Sequence, residues 1–255
     1  MPVASQSAIL DIRDIAFSYD RSREFIKGLS LALAQGDCVA LLGANASGKS
    51  TLLKLASGIL KPSSGTITLW NRPLASYILR DRAKLISYLP QITDVHVPFK
   101  VKDVVSMGAY PYDIPPSMTV EEALHTVGLH EKADALITEL SGGEKRRALI
   151  AMTLVQGAGI LLLDEPLANL DIKYQIDLIR LLARLREAKR ISIIMALHDI
   201  GIARDFGTVI LLKDGKILAM GNPTAVITPS TIREAFDVDI DVSRLWAHER
   251  FLCRG

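Results

Sequence analysis

The stretch GANASGKST, Gly43 to Thr51, follows the apolar run CVALLG and opens the helical pattern KSTLLKLASG. A glycine-rich turn between a strand and a helix is the setting in which backbone N–H groups cradle phosphates. There Lys49 reaches the terminal phosphates as a point charge, the Ser50 hydroxyl ligates Mg2+, and Thr51 reaches the innermost phosphate. A second signal, ILLLDEP, ends an apolar run in Asp164 and Glu165. That places carboxylates at the C-terminal edge of a buried strand, where open α/β sheets bind ligands. Asp164 is expected to hold Mg2+ through water, and Glu165 to polarise an attacking water as general base. His198 ends the run ISIIMALH at the same edge, placed to bond a terminal phosphate and steer the water. Gln91, after LISYLP, stands where a neutral amide would contact Mg2+ or the water and report nucleotide state to the segment that follows.

A further helix start lies at ELSGGEKRRALIAM. Ser141 and Glu144 have the spacing of a capping box, yet Gly142 and Gly143 occupy the first turn. Glycine in a helix costs about 1 kcal/mol relative to alanine. Its use here points to close approach of an anion to bare N–H groups, so the chain carries a second candidate phosphate receptor.

The elements that must hold these residues read as α/β. ILDIRDIAFSY and FIKGLSLALAQG are expected strands, followed by CVALLG, GTITLW and LISYLPQ. From Pro98 to about Leu140 the pattern is helical, with a capping box at Thr119 and Glu122 and no convincing strand. Strands return at GILLLDEP, ISIIMALH, TVILLKDG and KILAMG, with the long amphipathic helix IKYQIDLIRLLARLREAKR among them. One domain is expected, its core formed by residues 1–91 and 158–255 and a helical insertion over about 92–157.

At 255 residues, with 49% apolar residues, the chain supports a globular core without staples. A net charge of +2 gives no electrostatic case for nucleic acid. Cys38 and Cys253 lie far apart; Cys38, in DCVALLG, is expected to be a buried small hydrophobe, and a disulfide framework is not expected. No targeting segment or membrane span is seen, and the chain reads as cytosolic.

Together these motifs resemble the ATP-binding subunit of ABC transporters. GANASGKST matches the Walker A motif, Gln91 the Q-loop, LSGGE (Leu140 to Glu144) the signature motif, and ILLLDE the Walker B motif with its glutamate. ANLD (Ala168 to Asp171) resembles the D-loop and His198 the switch histidine. The resemblance implies a P-loop NTPase (RecA-like) core with an N-terminal antiparallel β subdomain and an inserted helical subdomain. It implies ATP and Mg2+ as cofactors, with Gly43, Asn45, Ala46, Ser47, Gly48, Lys49, Ser50 and Thr51 around one nucleotide, and with Ser50, Gln91 and Asp164 at the metal. Ser141, Gly142, Gly143 and Asp171 would serve the nucleotide of a second copy in a head-to-tail dimer. Tyr19, in AFSYD, would stack on adenine or be a half-buried strand aromatic. Ala46 replaces a frequent glycine, which implies a φ that a Cβ tolerates.

With no span of its own, such a subunit would sit peripherally on the cytoplasmic face of the cell membrane against permease subunits, served indirectly by an outer substrate-binding protein. FKVKDVVSMGAYPYDIPP and the tail GNPTAVITPSTIREAFDVDIDV resemble importers of iron chelates, haem and cobalamin, although Ala109 stands where arginine is frequent. Molybdate or tungstate importers are the alternative. Chromosome-structuring ATPases carry long coiled coils and translation-factor ATPases two nucleotide domains; the chain has neither pattern.

Overall fold

The computed structural model describes residues 8–20, 24–91, 98–113, 118–168, 170–189 and 191–239. Its centre is a six-stranded sheet made of β3 (Cys38–Leu42), β6 (Ile86–Leu89), β7 (Ile160–Asp164), β8 (Ser192–Ala196), β9 (Thr208–Lys213) and β10 (Lys216–Gly221), in the order β10-β9-β3-β8-β7-β6. All neighbours are parallel except the β9–β10 hairpin. The runs CVALL, ILLLD and SIIMA are buried along their whole length, as strands covered on both faces must be.

Alternation along these strands feeds two cores. Cys38, Ala40 and Leu42 of β3 face one apolar cluster, while Val39 and Leu41 face the other. The second cluster is closed by a four-stranded antiparallel sheet, in which β1 (Leu10–Phe17) lies between β2 (Ile26–Leu33) and β4 (Ser64–Leu69), and β5 (Arg72–Pro73) flanks β4. Helix α1 (Lys49–Ala56) buries Leu52, Leu53 and Leu55 in the same cluster. It ends before Gly58, whose φ of 75° is a left-handed stop.

On the other face, α3 (Val101–Ser106), α4 (Val120–Thr126) and α5 (Gly142–Gln156) pack on one another, and α6 (Ile172–Lys189) joins the first cluster through Leu178, Leu182 and Leu185. Among the described residues of 98–140 the helical expectation holds except for one isolated bridge, Lys100 to Leu136. The Thr119–Glu122 capping box forms as expected. Helix α2 (Leu79–Leu85) was not expected: it buries none of its residues, so its sequence carries no apolar periodicity. Short helices α7 (Ile200–Ala203), α8 (Pro223–Val226) and α9 (Pro229–Phe236) complete the described chain. Cys38 is buried, as expected, and Cys253 lies outside the described residues. Among the described residues no helix is long and apolar enough to cross a membrane.

Candidate nucleotide site

Parallel pairing brings the candidate residues to one edge. Ala196 of β8 pairs with Leu41 of β3 on one side and with Asp164 of β7 on the other, and Leu89 of β6 pairs with Leu163. The carboxyl ends of four strands are therefore level, and the chain leaves them at Gly43, Asp164, His198 and Gln91. His198 lies two residues beyond β8 rather than ending it, because β8 stops at Ala196.

The Gly43–Thr51 loop is built for close approach. Gly43 and Gly48 have φ values of 153° and 111°. A Cβ on Gly43 would stand 2.5 Å from the Leu212 carbonyl oxygen, and one on Gly48 would stand 2.9 Å from Ile26 Cδ1. Gly48 precedes α1 with no side-chain cap, so the first-turn N–H groups of the helix are left for a ligand. Lys49 is buried and donates to the carbonyl oxygens of Gly43 at 2.8 Å and Ala44 at 3.2 Å. Burial pushes its ammonium pKa down, while Glu165 and Asp164 pull it back up. The φ of Ala46 is 61°, in the left-handed region. A φ that a Cβ tolerates was expected; the left-handed value accommodates one only at a cost of about 1 kcal/mol.

Ser50 Oγ donates to Asp164 Oδ1 at 3.0 Å, and Tyr88 donates its hydroxyl to Asp164 Oδ2 at 3.2 Å. Burial pushes the Asp164 carboxyl up, and these two donors oppose it. The Tyr88 phenol is pushed up, first by burial and then by Asp164. Beside this pair, Glu165 has a φ of 51° and is buried. His198 Nε2 lies 2.5 Å from its Oε1, and Gln91 Nε2 donates to its Oε2 at 2.5 Å.

Next to the loop, a cleft of about 480 Å³ is lined by residues that include Tyr19, Phe25, Asn45, Ala46, Asp214 and Asp237. Tyr19 is 61% exposed, so the half-buried strand alternative is excluded. Its ring meets Phe17 and Phe25 edge-on, and its hydroxyl is 2.8 Å from Thr51 Oγ1.

This arrangement fits a nucleoside triphosphate with a hard cation. The loop offers glycine-lined backbone donors and a buried ammonium, and the cleft beside it offers an aromatic wall. Ser50 and Asp164 supply oxygen donors. Among the described residues no cluster of three or more His, Cys, Asp or Glu forms a metal cage. A cation held by one or two protein oxygens and completed by phosphate is the Mg2+ mode.

The family model described as ABC transporter matches residues 26–168, from β2 through the Glu165 turn. The chain belongs to the ABC transporter family. As a member it binds ATP and is an ATPase of that family. It is 39% identical over 243 residues to a hemin import ATP-binding protein of Bradyrhizobium diazoefficiens, covering 91% of this chain and 90% of the relative. It is 41% identical over 236 residues to a protein of the same description from Rhodopseudomonas palustris, covering 88% and 87%. Among solved structures it is similar to cbiO1 of Clostridium perfringens, part of the cbiONQ ABC transporter complex, at a TM-score of 0.74 and 30% identity, covering 90% of this chain and 96% of that one.

In this ABC ATPase the remaining predicted site residues stand apart from the loop. Ser141 caps α5 through a capping box with Glu144, and Ser141 and Gly142 are exposed. Lys132, the Ser141 N–H and the Ser141 hydroxyl hold the Glu144 carboxyl down at about 2. A Cβ on Gly142 would meet nothing within 4 Å. Asp171 is exposed just before α6, and its carbonyl accepts from the Gln175 N–H.

Two contributors escaped sequence reasoning. Tyr88 lies in the strand run LISYLP, where nothing sets it apart from the other strand residues. Arg146 stands in the charged run EKRR, where nothing local marks it for burial, yet it shares the helical face of Ile150 and Thr153, which are also buried.

Proposed function

We propose that this chain is the ATP-hydrolysing subunit of an importer for haem or a related iron chelate, acting as two head-to-tail copies that enclose two ATP. The observation that carries the dimer is Gly142: nothing in its own chain requires a glycine there, since a Cβ would stand in open space. A helix start that is exposed, capped by Ser141 and free of Cβ atoms suits the phosphate of a foreign nucleotide. Residues 92–157 act as the helical subdomain that carries this tip, and Asp171, exposed just before α6, serves the same foreign nucleotide.

Within each copy, the backbone from Gly43 to Ser50 and the Lys49 ammonium hold the phosphates, with Thr51 at the innermost one and Asn45 and Ala46 at the loop tip. Tyr19 takes the adenine. Ser50 and Asp164 hold Mg2+, with Gln91 in reach; bound there, the cation neutralises phosphate charge. Glu165 accepts the proton of the attacking water. His198 and Gln91 fix the two carboxylate oxygens that do so.

A membrane permease docks on the seam between α2 and the 107–113 segment. Arg80 Nε donates to the Pro111 carbonyl oxygen at 3.0 Å and its guanidinium pairs with Asp113. Beside this bridge Ile78, Leu79 and Tyr110 are 65%, 74% and 85% exposed. Large apolar side chains of that exposure mark an interaction site. The chain then sits peripherally on the cytoplasmic face of the membrane, and an outer binding protein supplies cargo. The hemin import relatives favour haem over molybdate or tungstate.

The test is Glu165→Gln, which removes the base and keeps the contacts. With Mg-ATP it is expected to elute as a dimer on size-exclusion chromatography and to hydrolyse no ATP; a monomer under those conditions refutes the sandwich. Ser141→Arg is expected to bind ATP but neither dimerise nor turn over. In vesicles carrying the permease, hydrolysis should rise with haem-loaded binding protein and not with molybdate.

A further inference from the structure

Arg146 lies one helical turn after Gly142 and is 3% exposed. Its Nη1 donates to the carbonyl oxygens of Pro90 at 2.6 Å and Gln91 at 2.8 Å. Its Nη2 donates to those of Asp164 and Glu165, both at 2.7 Å, and Nε is 3.5 Å from the Pro166 carbonyl oxygen. Each of these partners is a backbone carbonyl. One guanidinium from the signature helix therefore clamps the backbone of the two residues whose side chains meet, Gln91 and Glu165.

The chemistry suits arginine alone. Its planar fork satisfies two loops at once, whereas an ammonium is a single point. Burial pushes its pKa down, and Asp164 and Glu165 oppose that. Glu165 departs from ordinary backbone geometry, and its carbonyl is fixed by this clamp while its side chain turns to His198. One turn of α5 separates the Ser141–Gly143 tip from the guanidinium that holds these carbonyls.

We infer that Arg146 is a positioning residue that transmits occupancy of the Ser141–Gly143 tip to Gln91 and Glu165 of the same chain. This rests on the reading of Glu165 as base and of the tip as a receptor for a partner's ATP. It adds that each copy's hydrolytic groups are set by the nucleotide bound to the other copy.

The full chain with Arg146→Met or Arg146→Lys tests this. The lysine variant keeps the charge and part of the contacts. For the methionine variant kcat is expected to fall about 100-fold, the loss typical of a small misplacement of catalytic groups. The lysine variant falls about tenfold, since it reaches only one loop. Competition against a fluorescent ATP analogue should show Kd within about threefold of the parent, because the Lys49 loop is untouched. Amide exchange should quicken at Gln91 and over Glu165–Ala168 and stay unchanged along α1. A merely structural arginine would lower Tm and move none of these selectively. Combined with Ser141→Ala, the lysine variant should show a non-additive loss of kcat. A folded variant with parental kcat, or full additivity with Ser141→Ala, overturns the inference. Parental hydrolysis by Glu165→Gln in parallel would instead fault the assignment of the base.

Discussion

His198 Nε2 stands 2.5 Å from Glu165 Oε1 while the other carboxylate oxygen is held by Gln91, so the buried carboxylate is oriented from both sides. Two residues beyond β8, the histidine reaches a glutamate one residue beyond β7, because Ala196 and Asp164 are paired in register. His198→Ala should leave the Glu165 carboxylate held by Gln91 alone. Steady-state hydrolysis is expected to fall about 100-fold. Affinity for a fluorescent ATP analogue should stay within about threefold, since no contact of the Lys49 loop is lost. A variant that loses affinity and rate together would make His198 a binding group instead.

Ala46 offers a test of backbone strain. At a φ of 61° and exposed, its Cβ costs conformational energy and gains no packing. Ala46→Gly relieves about 1 kcal/mol of left-handed strain, offset by the greater freedom of glycine in the unfolded chain. The expected net change in Tm is small and not negative. Ala46→Val places a branched side chain in the same region and should destabilise by about 2 kcal/mol. Urea unfolding of the two variants should thus move in opposite directions or leave only valine changed.

Glu144 links stability to pH. Its carboxyl is held down at about 2, against an ordinary value of 4.5, by Lys132 and by the Ser141 N–H and hydroxyl. A depressed acid stabilises the fold above its unfolded pKa, and that stability is lost as pH falls through the folded one. The window is therefore pH 4.5 down to about 2. Lys132, the largest contributor, is half exposed, so screening reduces its share. Glu144→Gln, which keeps an acceptor for the Ser141 N–H and removes only the charge, should cost about 1 kcal/mol at pH 7. The gap between parent and variant should narrow as urea melts are repeated from pH 5 towards pH 3. A gap independent of pH would mean that the carboxylate charge plays no part.

The central sheet was legible because fully buried parallel strands leave continuous apolar runs, CVALL, ILLLD and SIIMA, each followed by its functional group. The phosphate loop was legible for the same local reason: every residue from Gly43 to Thr51 acts within one strand–turn–helix unit. Helix α2 was illegible because LRDRAKL buries nothing and so has no periodic face. Arg146 was illegible for the opposite reason. Its acceptors come from segments about 55 and 18 residues away, and only the folded sheet brings Pro90 and Asp164 to one point. A charged residue on a helix is ordinarily solvated, and no local pattern says that carbonyls will replace the water.

Gly142 separates folding from function more sharply than any other position. It occupies the first turn of α5, its conformation is helical, and a Cβ there meets nothing within 4 Å of the same chain. By intrinsic propensity Gly142→Ala should therefore stabilise the fold, by up to about 1 kcal/mol, because alanine loses less backbone entropy in a helix. If the tip receives the phosphate of a second copy's ATP, the same methyl group intrudes where the nucleotide must touch the backbone. Hydrolysis and ATP-driven dimerisation should then fall while Tm rises. Thermal melts, ATPase rates and size-exclusion chromatography on one preparation decide it. A variant that is both more stable and fully active would mean that no ligand approaches this glycine, and the exposed tip would need another explanation.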